Sequence, residues 1–379
     1  MQIYRLGTMA DKRAVLKTLG VESGGISIMA GKMELVFFYI KALKTPAANI
    51  LKQDALSIGA ELAVPGGVIL CEKPVYDCIL IGTVKQMKIL ARKELVQPFG
   101  LKILAKQLSA FFSPRDFPLR IMGVINANDD SFYAGSRFMA DDAVRQVKKQ
   151  IEEGAEIIDI GAVSSRPGAK PVSEAEELKR IIPVCEALKA EALYEKALFS
   201  IDSYRPSVVE YALQSGFGLI NDITGASDER LIRLAEVYGA KLCIMHMQGT
   251  PQTMQENPQY EDVTADVSTF FETRIEKCEA LGLGRESLIL DVGIGFGKTL
   301  EHNLTLIKNL EHFKHFGCEV LIGASRKSMI DKIIPAAVDE RLPGTLALHL
   351  KAVENGASIV RCHDVPAHRQ ALAVWKALR

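Results

Sequence analysis

LRIMGVIN (119–126), DDAVRQVKKQIEEGA (141–155) and EIIDIG (156–161) follow one another and show a pattern that repeats through the rest of the chain. A short apolar run rich in β-branched residues leads through a turn to an amphipathic stretch with helical periodicity. This alternation predicts β/α units whose strands form a parallel sheet. Ser173, followed by Glu176, predicts a capping box at the start of the next helix.

The same unit occurs eight times. The predicted strands are LRIMGVIN (119–126), EIIDIG (156–161), LFSID (198–202), FGLIND (217–222), KLCIMHM (241–247), LILDVG (288–293), EVLIGAS (319–325) and SIVRCHD (358–364). Eight nearly continuous apolar strands, each followed by a helix, are typical of a closed (β/α)8 TIM barrel of the α/β class, which takes about 250 residues. An open, doubly wound sheet is the alternative, and the lack of a Gly-x-Gly-x-x-Gly motif after the first strand disfavours it.

Residues 1–115 do not follow this rhythm, so we predict a separate N-terminal α+β domain before a barrel domain at 116–379. The helix-like segments are DKRAVLKTLG (11–20), MELVFFYIKAL (33–43) and VKQMKILARKEL (84–95), and the strand-like ones are GGVILCE (66–72) and DCILIG (77–82). No recognisable catalytic motif falls in this part. A structural or oligomerisation role is therefore the favoured interpretation.

Composition limits the partners of the protein. The 379 residues include 46 basic and 46 acidic ones, which gives no net charge and argues against nucleic acid as a partner. The seven cysteines form no Cys-x-x-Cys pair, which indicates a reducing compartment. MQIYRLGTMADKRAV has no apolar core of a signal peptide, and the apolar stretch 33–43 is too short to span a bilayer. We therefore expect a soluble, cytoplasmic protein.

Polar side chains stand at or near the C-terminal end of each predicted strand, where the βα loops of a barrel build active sites. They are Asn126, Asp159, Asp202, Asn221 with Asp222, His246, Asp291, Arg326 with Lys327, and Arg361 with His363 and Asp364. Carboxylates and carboxamides suit the edge of an N–H-rich ring, and arginines suit phosphate. A small phosphorylated heterocycle is the predicted ligand. The run GIGFGK (293–298) fits either a phosphate-binding nest or a plain tight turn.

Seven motifs, in order along the barrel, resemble those of dihydropteroate synthase. They are MGVINANDDSF (122–132), DIGAVSSRPGA (159–169), FSIDSYRP (199–206), LINDITG (219–225), ILDVGIGFGKTLEHN (289–303), GASRKSM (323–329) and RCHDV (361–365). The resemblance implies a transferase of folate biosynthesis. Such an enzyme condenses 6-hydroxymethyl-7,8-dihydropterin diphosphate with p-aminobenzoate, giving 7,8-dihydropteroate and pyrophosphate.

The resemblance also implies roles for individual residues. The residues assigned to the pterin are Asp202, Asn221, Met247, Asp291, Phe296 and Lys327, and those assigned to p-aminobenzoate are Ser165, Arg166, Pro167 and Ser328. Asn126, Arg361 and His363 would bind the diphosphate, and Asn126 would help to hold Mg2+ on it. Asn126, Lys327, Arg361 and His363 would be the catalytic residues. A homodimer and inhibition by sulfonamides are implied as well.

The match departs from the family pattern in two loops. Asn128 and Asp129 replace a Thr-Pro pair, and Asp129 adds negative charge near the diphosphate; Val163 replaces a glutamate and Ser165 a threonine. Two alternatives stay open, of which the first would share Asp202, Asn221 and Asp291, and the second is motivated by the altered strand-one loop and the N-terminal domain. One is a corrinoid-linked pterin methyltransferase, and the other is a non-catalytic paralogue that binds pterin for a partner protein.

Overall fold

The computed structural model describes residues 3, 11–113, 115–126, 136–163, 172–251 and 253–378, with side chains omitted at 136–139. Its contacts divide the chain into two compact units, of which the second is Arg115–Leu378. No helix in these described ranges is long and apolar enough to cross a membrane.

In its described residues, the N-terminal unit contains a small antiparallel sheet and five α-helices. Its elements are α1 (Lys12–Thr18), α2 (Ser23–Ala30), β1 (Leu35–Lys44), α3 (Thr45–Ser57), β2 (Glu61–Ala63), β3 (Val75–Thr83), α4 (Val84–Lys93) and α5 (Leu101–Phe111). The strand order is β1-β3-β2. Thr83 begins α4 with a capping box to Gln86, and Leu62, Leu80 and Leu90 pack in a core of their own. The predicted α+β class of this region is confirmed.

Two local predictions in this unit are wrong. The segment 33–43 was expected to be helical but forms most of β1, because consecutive Val, Phe, Tyr and Ile residues favour a pleated strand and their exposure alternates along it. The segment 66–72 was expected to be a strand but forms turns. Gly67, with a φ of 86°, lies in the left-handed region that such a turn can use and a strand cannot.

The second unit is the predicted (β/α)8 TIM barrel. Its elements are β4 (Arg120–Asn126), α6 (Ser136–Glu153), β5 (Ile157–Gly161), α7 (Glu174–Ala190), β6 (Leu198–Asp202), α8 (Pro206–Gln214), β7 (Leu219–Asp222), α9 (Glu229–Tyr238), β8 (Lys241–Met245), α10 (Val263–Ala280), β9 (Leu288–Asp291), α11 (Leu300–Lys308), β10 (Glu319–Ile322), α12 (Ser328–Ile333), α13 (Leu342–Glu354), β11 (Ile359–Cys362) and α14 (Val365–Ala377). The strands pair in parallel around a closed ring, and β11 pairs with β4. Several strands end earlier than predicted, because the polar residues beyond them belong to βα loops.

One apolar side chain from each strand fills the floor of the barrel. These residues are Met122, Ile157, Leu198, Leu219, Cys243, Ile289, Leu321 and Ile359. Side chains along a strand alternate between its two faces, so the residue two positions later points into the barrel again, nearer its C-terminal end. In β5, β7, β9 and β11 that residue is Asp159, Asn221, Asp291 and Arg361. The polar layer therefore lies directly above the apolar floor.

Candidate active site

A cavity opens at the C-terminal ends of the barrel strands. It is lined by Asp202, Asn221, Ile223, Met245, Asp291, Ile294, Phe296, Gly323, Lys327 and Arg361. Five of the residues predicted to bind pterin therefore lie together on its wall, with the predicted diphosphate ligand Arg361. Its wall combines apolar side chains with charged groups, which suits a flat polar heterocycle.

Asp291 ends β9 inside the cavity and is 7% exposed. Its Oδ1 accepts the backbone N–H of Gly293 at 2.8 Å, which fixes the orientation of the carboxylate. Burial raises the pKa of Asp291, and the Gly293 N–H and the charges of Lys327 and Arg361 oppose that rise. An ionised carboxylate held in this way can accept two parallel N–H groups from an aminopyrimidine edge.

Asp159 is fully buried and connects three other side chains of the polar layer. Its Oδ1 accepts from Ser200 Oγ at 2.6 Å, and its Oδ2 accepts from Asn221 Nδ2 at 3.0 Å and from Arg361 Nε at 2.7 Å. The carboxylate therefore orients both the carboxamide and the guanidinium. The sequence placed Asp159 near a strand end but assigned it no role. A charged residue in the middle of the apolar run EIIDIG is the signal that could have revealed it.

Arg361 lies between two carboxylates, since its Nη2 also donates to Asp202 Oδ2 at 3.0 Å. Burial and the negative charge of Asp159 raise the pKa of Asp202, while Arg361 lowers it. Burial alone would lower the pKa of Arg361, but Asp159 and Asp202 more than offset it, so that pKa is raised and the guanidinium stays charged. Arg361 binds other described residues through Nε and Nη2, so Nη1 can serve an anion.

Lys327 and Phe296 face each other across the cavity wall, with Lys327 Nζ 4.2 Å from the centroid of the Phe296 ring. This cation–π contact holds the ammonium beside the surface on which a planar ligand would stack. Phe296 belongs to the loop 293–298, which also contains the buried Lys298. A side-chain amine and an aromatic face are thus presented together from the segments that follow β9 and β10.

Lys298 closes the loop that carries Phe296. Its ammonium donates to the carbonyl oxygens of Phe296 at 2.9 Å and His246 at 3.1 Å, and to His246 Nδ1 at 3.0 Å. Burial lowers the pKa of His246 to about 3, so the ring is neutral and Nδ1 accepts. Gly293 has a φ of 67°, and a Cβ there would lie 2.0 Å from the His246 oxygen. The loop is a tight turn whose lysine points inward.

The loops after β10 and β11 are joined to each other. Ser325 Oγ lies 2.9 Å from His363 Nδ1, and the Arg326 guanidinium binds the Asp364 carboxylate through Nε at 3.0 Å and Nη2 at 2.6 Å. The two loops therefore hold the predicted catalytic residues Lys327 and His363 in a shared arrangement. Ser325, which sequence reasoning did not select, orients His363.

The remaining predicted site residues have different placements. Asn126 is the last residue of β4 and is exposed, and Ser328 is exposed in the first turn of α12. Met245 lines the cavity, whereas Met247 is half-buried two residues beyond it, after the end of β8. Ser165, Arg166 and Pro167 lie outside the described residues, as do Asn128 and Asp129.

The barrel and the polar layer define a pterin-binding barrel enzyme. The family model for the pterin binding enzyme matches residues 122–363. A bifunctional dihydropteroate synthase/dihydropteroate reductase of Helicobacter pylori is 39% identical over 100% of this chain and 99% of its own length. The dihydropteroate synthase of Haemophilus influenzae is 45% identical over 68% of this chain and 93% of its own length.

Solved structures agree with these relatives. The Yersinia pestis dihydropteroate synthase in a sulfonamide drug complex is 37% identical, with a TM-score of 0.64 over 70% of this chain and 98% of that one. The Thermus thermophilus enzyme in complex with 4-aminobenzoate is 38% identical, with a TM-score of 0.62 over 69% of this chain and 95% of that one. The chain belongs to the dihydropteroate synthase family. This assignment disfavours the methyltransferase and the non-catalytic paralogue.

Proposed function

We propose that the barrel condenses 6-hydroxymethyl-7,8-dihydropterin diphosphate with p-aminobenzoate to give 7,8-dihydropteroate and pyrophosphate. The observation that carries this proposal is the arrangement of Asp202, Asn221, Asp291, Lys327 and Arg361 around one cavity. Asp291 accepts from the aminopyrimidine edge of the pterin, and Asn221 and Asp202 complete its polar contacts. Phe296 stacks on the ring, and Lys327 donates to the ring's acceptor atoms.

The chemistry proposed for this site is departure of pyrophosphate followed by attack of the arylamine on the pterin-methylene carbon. Arg361 and His363 stabilise the leaving anion, and Arg361 offers it the N–H groups of Nη1, since Nε and Nη2 are bound to Asp159 and Asp202. The carboxylates of Asp159 and Asp202 keep the Arg361 guanidinium charged and fixed before the substrate arrives. Because the guanidinium is already in position, the site does not have to rearrange when the leaving group departs.

Mg2+ is the proposed cofactor, with Asn126 as its protein ligand. Within the described residues there is no cluster of three or more His, Cys, Asp or Glu side chains that could hold a metal by itself. An exposed carboxamide at the end of β4 fits an ion held mainly by water and substrate phosphates, as Mg2+ often is. When bound, the ion would neutralise charge on the departing pyrophosphate.

The p-aminobenzoate pocket is proposed at Ser165, Arg166, Pro167 and Ser328. Support comes from the family motif at 159–169 and from the Thermus relative that binds 4-aminobenzoate. Sulfonamides resemble p-aminobenzoate in shape and charge, and the Yersinia relative binds one. We therefore expect sulfonamides to compete with p-aminobenzoate in this protein.

The test is to incubate the full-length chain with the pterin diphosphate, p-aminobenzoate and Mg2+, and to follow 7,8-dihydropteroate by chromatography. We expect product that is lost on adding EDTA or a sulfonamide. An Arg361→Ala variant should lose turnover far more than affinity for the pterin, because the guanidinium acts on the leaving group. Wild-type protein that binds pterin but forms no product would refute the catalytic proposal.

We also propose a second activity, the reduction of dihydropteroate, for the N-terminal unit. The Helicobacter pylori relative carries both names and matches the whole chain, whereas the Haemophilus synthase matches 68% of it. The reaction would add a hydride to C6 and a proton to N5 of 7,8-dihydropteroate. The hydride would come from a reduced nicotinamide or a reduced flavin.

The reductase proposal is tested on the full chain with 7,8-dihydropteroate and either NADPH or chemically reduced flavin, with detection of tetrahydropteroate. An Asp291→Ala variant should lose synthesis and keep reduction, since the altered residue lies in the barrel cavity. Absence of tetrahydropteroate with both donors would overturn the proposal and leave the N-terminal unit with the structural role expected from the sequence.

A cytoplasmic homodimer completes the proposal. All seven cysteines lie in the described residues as free thiols and six are buried, which suits a reducing compartment. The dimer rests on family resemblance. Light scattering on the purified chain should give about twice the 41.5 kDa of one chain, and a monomer mass would refute the dimer.

A further inference from the structure

We infer that His349 of α13 and His368 of α14 are positioning residues for the barrel's reaction. Together they form a bridge, named here the histidine bridge, between the loop that carries Lys327 and the loop that carries His363 and follows Arg361. Neither histidine lines the cavity or matches a family motif quoted above. This inference rests on the proposed synthase function, because its effect on turnover is defined for that reaction.

The histidine bridge is a chain of three hydrogen bonds. The Ala324 N–H donates to His349 Nε2 at 2.9 Å, His349 Nδ1 lies 2.8 Å from His368 Nε2, and His368 Nδ1 lies 2.8 Å from the Asp364 carbonyl oxygen. Backbone groups fix both ends, since an amide N–H can only donate and a carbonyl oxygen can only accept. Each ring must therefore carry its proton on Nδ1, which defines the direction of every bond.

The burial of the bridge keeps both rings in that neutral form. Each histidine is 1% exposed. Burial lowers the pKa of His349 well below its usual value, and His368 and His363 lower it further. Burial also lowers the pKa of His368, although the charge of Asp364 opposes the change. A buried N–H such as that of Ala324 is destabilising when its acceptor is removed, so the bridge is a strong constraint on the loop.

The segment held by the bridge includes a strained residue next to Lys327. Arg326 has a φ of 55°, a left-handed conformation that a residue with a side chain adopts at a cost. Its N–H donates to Thr345 Oγ1 at 2.9 Å, its side chain binds Asp364, and its carbonyl accepts from Arg341 at 3.3 Å. Thr345 and His349 lie one turn apart on α13. This helix therefore holds the turn that aims Lys327 into the cavity.

Two substitutions at one position test the inference. His349→Phe keeps an aromatic ring, although a larger one, and removes both nitrogens, whereas His349→Gln keeps an acceptor at the place of Nε2 for the Ala324 N–H. We expect His349→Phe to lower kcat/KM for the pterin diphosphate about tenfold, and His349→Gln to recover most of that loss. Hydrogen exchange followed by mass spectrometry should show faster exchange at both 323–327 and 363–365 in His349→Phe.

His312→Phe is the matched control. It removes a histidine bonded to Ser268 of α10 at 2.9 Å, so it should cost stability and leave both loops and kcat/KM unchanged. Unchanged exchange at the two loops in His349→Phe would overturn the inference, and so would a His349→Gln variant as impaired as His349→Phe. The exchange measurement needs no turnover. Wild-type protein that forms no dihydropteroate would therefore count against the proposed function and not against the bridge.

Discussion

Asp159 Oδ2 accepts the Nε–H of Arg361 at 2.7 Å, although the two residues stand 202 positions apart in the sequence. The bond joins β5 to β11 across the intervening β4. Because Asp159 also accepts from Asn221, one buried carboxylate orients a group assigned to the pterin and a group assigned to the diphosphate. The two halves of the substrate site are thus mechanically linked beneath the cavity.

Asp159→Asn is expected to impair catalysis while the barrel stays folded. The asparagine amide has nearly the same shape as the carboxylate, but it lacks the charge that fixes the Arg361 guanidinium. Its NH2 group also donates at a position where a carboxylate oxygen accepted. Disrupting such a buried charged pair typically costs about 2–5 kcal/mol, so we expect kcat/KM for the pterin diphosphate to fall about 100-fold. Steady-state kinetics check this, with the exposed Asp141→Asn of α6 as the control. Kinetics equal to those of the control would contradict it.

Asp291→Asn is expected to weaken pterin binding more than any change at the diphosphate side. An asparagine keeps one oxygen for the Gly293 N–H but offers its NH2 group to a ligand edge that also donates. Titration calorimetry with the pterin diphosphate should show a Kd increased about 30-fold or more. Circular dichroism checks that the variant is folded. A Kd equal to that of the wild type would mean that Asp291 does not contact the pterin.

The sequence predicted the barrel because its strands are apolar and evenly spaced, and it predicted most cavity residues because they end those strands. The hydrogen bond between Asp159 and Arg361 shows what the sequence could not predict. A strand register tells which residues point inward, but the bond to Arg361 depends on how β5, β4 and β11 pair in space. The error at 33–43 has another cause, since Glu34 and Lys41, seven positions apart, imitate helical spacing in a segment whose aromatic residues favour a strand.

Lys298→Met is expected to raise KM for the pterin diphosphate about tenfold. The substitution removes three donated hydrogen bonds and leaves two carbonyl oxygens and His246 Nδ1 without their donor, so the turn that presents Phe296 loosens. Lys308→Met, at an exposed position of α11, is the control for loss of a lysine. A KM that stays at the wild-type value in a folded Lys298→Met would mean that the turn needs only its glycines.

Glu94→Gln is expected to stabilise the N-terminal unit in a manner that depends on pH. Both carboxyl oxygens of Glu94 are buried and accept no hydrogen bond from the described residues. Burial raises the pKa of Glu94 to about 7, and the charge of Asp54 and a hydrogen bond that the protonated Glu94 can make with it act in the same direction. The unfolded chain ionises near 4.5, so wild-type stability falls as pH rises from about 4.5 to 7 and then levels off. The free energy of unfolding of Glu94→Gln should exceed that of the wild type by an amount that grows over that pH range to about 1–3 kcal/mol. Hydrogen exchange of α4 peptides in the full chain at pH 5 and pH 8 measures this difference in stability, and the exposed Glu22→Gln is the control. An equal difference at both pH values would contradict the raised pKa of Glu94.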